Sequence, residues 1–197
     1  MKMRILTAIA TISIFTFGCS SSQTKNGSEG HELSTEIPGA SDYFPSGPLT
    51  KVFSGGFENE GVKHTFMAFE DNKVQMLQVD SGTSLILVYE VSDDQIRLIY
   101  TEEGYYSNQK KDNVIPNRND IILKSPIQVG TKWDSDRGGF FEITAVDVDV
   151  KTPAGSYLAV EVTFRYDEHQ TKHYYAKGLG MIRTISDIFS IELVEIK

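Results

Sequence analysis

Strict alternation of apolar and polar side chains is the feature that most narrows what this chain can become. It is clearest from Tyr157 to Tyr166. There Leu158, Val160, Val162, Phe164 and Tyr166 fall on one parity, and Tyr157, Ala159, Glu161, Thr163 and Arg165 on the other. A period of two belongs to a strand half-buried against a core, whereas a helix repeats its apolar positions every three to four residues. Slipping the strand by one residue would exchange its faces and put Glu161 and Arg165 inside, so the pattern fixes the register.

Val62 to Phe69, Lys73 to Val79, Ser84 to Val91 and Gln95 to Thr101 read the same way. Turn-forming runs separate them: Glu70-Asp71-Asn72, Asp80-Ser81-Gly82 and Ser92-Asp93-Asp94. Leu85 to Tyr89 is apolar on both parities, which predicts a strand covered on both sides. Phe140 to Lys151 changes phase near Ala145-Val146, so it carries either a bulge or a break into two strands. Between Lys151 and Ser156, Pro153 presets a type I turn and Gly155 supplies the left-handed residue that closes a three-residue hairpin. Lys172 to Ala176, Met181 to Ser186 and Phe189 to Ile196 complete the strands, with Gly178-Leu179-Gly180 as a bend. No segment behind the N-terminus has helical periodicity. The expectation is an all-β fold, a single antiparallel domain of about 10–12 strands arranged as a sandwich, half-barrel or barrel. Residues 42–197 would form it, which is enough chain for one core. Lys51-Val52-Phe53 with Gly55-Gly56 is echoed 80 residues later by Thr131-Lys132-Trp133 with Gly138-Gly139, which suggests two similar stacked meanders.

The N-terminus carries an address. Lys2 and Arg4 precede an uncharged run, Ile5 to Phe17, and the only cysteine follows at position 19. This is the layout of a secretory signal, and its 13 apolar-run residues fall short of the about 20 that span a bilayer. Phe15-Thr16-Phe17-Gly18-Cys19 resembles the lipobox of bacterial lipoproteins. That resemblance implies cleavage after residue 18 and acylation of Cys19, with a diacylglycerol on its thiol and a further chain such as palmitate. A lone cysteine also excludes an internal disulfide. Residues 19–41 are rich in Ser, Gln, Lys, Gly and Glu and poor in apolar side chains, so they read as a flexible tether. The formal net charge of −8 becomes −10 once Lys2 and Arg4 leave with the signal, and an acidic surface repels phosphates. Nucleic acid is therefore not an expected partner.

Two further stretches carry a second resemblance. Asp147-Val-Asp-Val-Lys-Thr-Pro-Ala-Gly-Ser-Tyr157 and Tyr174-Tyr-Ala-Lys-Gly-Leu-Gly-Met-Ile182, with Val129-Gly-Thr-Lys-Trp133, resemble uncharacterised bacterial envelope proteins. In those proteins a Pro-Ala-Gly hairpin precedes a Tyr-Ala-x-Gly-x-Gly strand. The resemblance implies a β-rich exported protein and brings no catalytic residue with it.

Candidates for chemistry are few. His169 and His173, with Glu168 nearby, have a metal-site spacing only if a turn at Gln170-Thr171 brings them together. His64 has no acid or nucleophile fixed beside it. Asp134-Ser-Asp136-Arg-Gly138 lacks the glutamate of a calcium loop, because Ala145 stands in its place. Asp147 and Asp149 read as a solvated rim with Lys151. No nucleophile elbow and no phosphate loop is present, so no catalytic residue, metal or cofactor is assigned. The long loop Glu102 to Asp120 is the candidate binding element. It carries Tyr105, Tyr106, Lys110, Lys111 and Arg118, a positive island whose aromatics suit a sugar or a protein surface. The alternative is a loop with its tyrosines tucked onto the sheet.

The function expected from these features is that of a non-enzymatic lipoprotein anchored at Cys19 in the cell membrane or outer membrane. Its domain, on the extracytoplasmic side, would bind or support another envelope component, protein or glycan. One rival is a carrier of a lipid or other apolar ligand in a half-barrel lined by Leu158, Val160 and Phe164. A second is a hydrolase with spatially assembled acids. Replacing Cys19 by Ser should move the protein from the membrane fraction to the soluble fraction, measured by pelleting; continued pelleting of the variant would refute the anchor.

Overall fold

Among the described residues, polar turns at short intervals break the alternating chain into twelve antiparallel strands that hydrogen-bond into one sheet. The computed structural model describes residues 38–55, 61–107 and 109–197. The signal segment 1–18, Cys19 and the tether as far as residue 37 lie outside the described residues. The strands are β1 (Leu49–Gly55), β2 (Val62–Glu70), β3 (Lys73–Val79), β4 (Ser84–Val91), β5 (Gln95–Glu103) and β6 (Asp120–Lys124). They continue with β7 (Lys132–Asp134), β8 (Phe140–Thr152), β9 (Gly155–Tyr166), β10 (His169–Ala176), β11 (Gly180–Ser186) and β12 (Ser190–Ile196).

Sheet order is β6-β5-β4-β3-β2-β1-β12-β11-β10-β9-β8-β7. Two six-stranded meanders are therefore joined edge to edge where the first strand meets the last. Phe53 pairs with Leu193 and Gly55 with Ile191, and Thr50 and Lys197 exchange backbone bonds of 3.0 and 2.9 Å. The echo at Phe53 and Trp133 marks the opening strand of each meander, but the meanders share one sheet and do not stack. Bulges at Val52/Phe53, Phe66/Ala68, Val88/Tyr89, Ile96/Arg97 and Tyr174/Tyr175 add local twist. The sheet curls until its free edges, β6 and β7, face each other. The indole N–H of Trp133 then donates to the backbone carbonyl of Ile121 at 3.0 Å, so the result is a nearly closed barrel.

The phase change in β8 is a bulge within one strand, with register shifts between Ile143 and Val148. Both Ile143 and Val150 are thereby buried. Gly155 takes a φ of +145°, which disfavours a side chain, but only Pro153 and Ala154 separate the paired Thr152 and Gly155. The hairpin loop thus has two residues, not three. The β9–β10 turn falls at Asp167-Glu168 and not at Gln170-Thr171, because Asp167 accepts a φ of +50° that most side chains resist.

Strand β9 also departs from a simple inside–outside division. Val160 and Val162 face the core, but Leu158 is 60 % exposed and Tyr166 47 % exposed. Near Leu158 the opposite parity is the covered one, because Tyr157 and Ala159 pack in a second apolar cluster with Val150, Ile182 and Leu193. Glu161, on the outer face, is buried nonetheless. Its Oε1 accepts from Thr144 Oγ1 at 2.6 Å and Lys172 Nζ at 3.1 Å, and its Oε2 from Tyr174 Oη at 2.8 Å. Burial alone would raise the Glu161 carboxyl, but these donors and the Lys172 charge outweigh it and hold it below the ordinary value. Strand β4 is covered on both sides, as its composition requires. Leu87 and Tyr89 pack inward, while Val88 lies under loop residues Lys110 to Val114 on the outside.

One end of the barrel is plugged. A single 3-10 turn, Ala40–Tyr43, is held by Ala40 N–H to Asp93 O at 2.8 Å and by Gly178 N–H to Asp42 O at 2.7 Å. Phe44 then packs edge-on to Phe66, with centroids 5.6 Å apart, and against Tyr89 at 5.0 Å. Ala40 is fully buried, so the packed domain takes in the last residues of the range assigned to the tether.

Beside this plug lies Lys51, 1 % exposed and without a carboxylate partner among the described residues. Its ammonium donates to the carbonyls of Leu179 and Met181, both at 2.7 Å, and stands 5.3 Å and 5.2 Å from the ring centroids of Phe53 and Phe66. Burial pushes the Lys51 amine down to about 7. Between pH 7 and 10.5 the unfolded chain holds this proton and the folded chain has lost it, so stability rises with pH across that window. Chemical denaturation from pH 7 to 9 should show this rise, at most about 1.4 kcal/mol per pH unit. Lys51→Met should flatten it; an unchanged slope in the variant would show that the charge is not confined there.

Candidate functional site

Strand direction assigns the turns to two ends. The plug, the β8–β9 turn and the β10–β11 turn share one end; the β5–β6 loop, the β7–β8 turn and the β9–β10 turn share the other. At this second end the wall is incomplete, because β6 has five residues and β7 only three. Among the described residues, their neighbours β5 and β8 are longer and extend past the seam strands. The space left is a cavity of about 370 Å³.

Its floor and walls are apolar: Leu98 from β5, Ile122 from β6, Phe141 from β8, Phe164 from β9 and Tyr175 from β10. Phe141 and Phe164 are cross-strand partners with ring centroids 4.8 Å apart. Trp133 stacks on the other side of Phe141, at 5.5 Å and 15° between planes, and so links the cavity wall to the seam. Two polar groups line the interior. Burial raises the Tyr175 phenol strongly, and burial pushes the His173 imidazole down to about 4, so both are neutral at pH 7. His173 Nδ1 lies 3.1 Å from Thr184 Oγ1 on the paired strand. At the mouth, Asp120 and the β7–β8 turn contribute charge, with Arg137 Nη2 3.4 Å from Asp120 Oδ2 and Asp136 alongside.

The five residues of the candidate binding loop are not brought together. Tyr105 Oη donates to Gln109 O at 2.9 Å, and Lys111 Nζ pairs with Glu102 at 2.7 Å while lying over the Tyr100 and Tyr105 rings. Lys110 pairs with Glu70. Gln75 on β3 clamps the loop by exchanging two 2.9 Å hydrogen bonds with the backbone of Lys111. The two lysines are thus paired with acids, and this part of the loop serves as the outer cover of β3 and β4. Tyr106 projects outward, 77 % exposed. Arg118 lies apart from the others, placed near the cavity mouth by Asn117, whose side chain makes paired hydrogen bonds of 3.0 and 2.9 Å with the backbone of Thr101.

Of the residues considered for metal binding, His169 reaches Asp187 Oδ2 at 3.7 Å on an exposed hairpin tip, while His173 is half-buried and lines the cavity inside the barrel. Among the described residues no group of three or more His, Cys, Asp or Glu side chains is gathered to hold a metal ion. Half-buried His64 lies against Phe53, with centroids 4.9 Å apart, and desolvation, with Lys51 nearby, pushes its imidazole down to about 3. Of the three side chains expected to line an apolar cavity, Phe164 does so; Val160 is in the filled core and Leu158 faces solvent. Leu98, Phe141 and Tyr175 were missed because nothing in a strand's own alternation says where its neighbours end.

The chain matches no protein-family model and no curated protein. Two solved structures resemble it. One is a Bacteroides fragilis protein described as exported, with a YmcC-like fold, at 13 % identity and a TM-score of 0.46, covering 78 % of this chain and 98 % of its own. The other is a Parabacteroides distasonis protein described as a lipoprotein, at 12 % identity and a TM-score of 0.45, covering 82 % of this chain and 100 % of its own. Likenesses at this level carry no argument about activity.

The indole bond across the seam is a specific dependence. Trp133→Phe leaves the Ile121 carbonyl without its donor and should cost about 1–2 kcal/mol. Hydrogen exchange should quicken in β6 before it does in β1 or β12; uniform quickening would deny Trp133 its role as the seam's fastening.

Proposed function

We propose that the protein is a lipoprotein of the cell envelope, held on the extracytoplasmic side of a membrane through acylated Cys19. Its barrel binds a small apolar group of an envelope component without transforming it. The basic start, apolar run and lone cysteine support the anchor. The observation that supports the binding role is the half-enclosed cavity walled by Leu98, Phe141, Phe164 and Tyr175. Four greasy side chains around a space that the described residues leave unfilled favour a guest that gains by leaving water.

Size limits the guest. About 370 Å³ lies near the lower end of the roughly 300–1,000 Å³ usual for small-molecule pockets. One alkyl chain or one ring system fits; a whole diacyl lipid does not.

Trp133 provides the test, because it is the only tryptophan and stacks on a wall residue. Titrating the mature protein with 12-bromododecanol should quench its emission saturably, since bromine quenches an indole only at close range. Leu98→Phe, which adds bulk to the cavity, should weaken this binding by about tenfold. Linear, non-saturating quenching, or equal affinity in a folded Leu98→Phe variant, would overturn the proposal.

A further inference from the structure

The cavity continues into a polar space. Asp120, Asp136 and Arg137 line both the apolar cavity and a shallow outer hollow of about 470 Å³, whose rim adds Arg118 and Asn119. We infer that the guest is a single-chain amphiphile with a net-neutral polar head, its chain among Phe141, Phe164 and Tyr175 and its head among Arg118, Arg137, Asp120 and Asp136. This rests on the cavity being a binding site.

The composition of the hollow carries the head-group assignment. Two guanidinium groups and two carboxylates give it both donors and acceptors with no net charge. Arg137 and Asp120 are loosely paired at 3.4 Å, and neither Arg118 nor Asp136 has an ion-pair partner among the described residues. The two asparagines are mostly engaged elsewhere. Asn117 is bonded to the Thr101 backbone, and Asn119 Oδ1 accepts from Arg97 Nη1 at 3.1 Å. The charged groups are therefore the ones left for a ligand.

Each charged head meets an opponent there. A carboxylate head attracted to Arg118 would lie beside Asp120 and Asp136, on a protein whose formal charge is already −8. An ammonium head attracted to Asp136 would face two guanidinium groups that do not give up their protons. A head presenting donors and acceptors together satisfies both signs. Sugar hydroxyls do so, and so does a zwitterionic phosphodiester. The same geometry explains why the apolar cavity opens at the mouth: an amphiphile enters chain first and leaves its head where water still reaches it.

Four decyl amphiphiles with one chain length and four heads separate these cases below their micellar concentrations. Decyl glucoside, decylphosphocholine, decanoate and decylammonium are each used to displace 12-bromododecanol, read as recovery of Trp133 emission. The glucoside, the phosphocholine or both should bind about tenfold more tightly than either charged compound. The better of the two identifies a hydroxyl or a zwitterionic head. Asp136→Asn should raise decanoate affinity relative to glucoside by about fivefold, and Arg118→Gln should do the same for decylammonium. Charged heads binding as well as neutral ones, or a ranking indifferent to both substitutions, would overturn the assignment. If the bromoalcohol binds and none of the four displaces it, the head-group inference fails while the cavity stands. If the bromoalcohol itself does not bind, the cavity fails first and the inference with it.

Discussion

The pairing of β1 with β12 is the constraint on which the rest depends. Each six-stranded meander is built from neighbours in sequence and could form as a local ladder, but neither alone encloses anything. Joining the first strand to the last, across almost the whole length of the domain, makes one continuous sheet whose curl gathers both inner faces around a common interior. It also decides which edges are left over. With β1 and β12 paired, only β6 and β7 remain free, and the seam, its indole bond and the cavity beside it follow from that choice.

The two ends of the barrel solve the packing problem differently. At the plugged end Phe44, Phe66 and Tyr89 fill the space and even accommodate a lysine, which keeps its charge tolerable by borrowing two carbonyls and two aromatic faces. At the other end the seam strands stop early and the interior is left short of side chains. Inequality of strand length, more than any special residue, sets the location of the site. The charged groups that border it come from turns and loops, which carry few packing duties and are free to supply recognition chemistry.

Alternation made the strands legible. The sequence-derived bounds of β3 and β4 agree with those in the barrel, and the parity change in β8 located its bulge. Apolar residues on both faces of β4 correctly implied an outer cover, although nothing in the sequence said that the long β5–β6 loop would provide it. The buried carboxylate at Glu161 was invisible for a related reason. Its three donors come from β8 and β10, and a polar residue on an outward parity looks solvated until its neighbours are known. The cavity was the least readable feature of all. Phe141, Phe164 and Tyr175 obey the same alternation as residues in the filled core, and what distinguishes them is the shortness of strands elsewhere. Lys51 reads as an ordinary charge before an apolar pair, and only the folded barrel reveals that it points inward.

The seam has one more consequence, for what the molecule does not do. An unpaired strand edge offers a template on which a second chain can add, and long flat edges lead to aggregation. In this barrel the two unpaired edges are its shortest strands, they face each other, and an indole occupies the carbonyl that a visiting strand would seek. The opening beside the cavity is therefore also a guarded one, too brief a ladder for another backbone to climb.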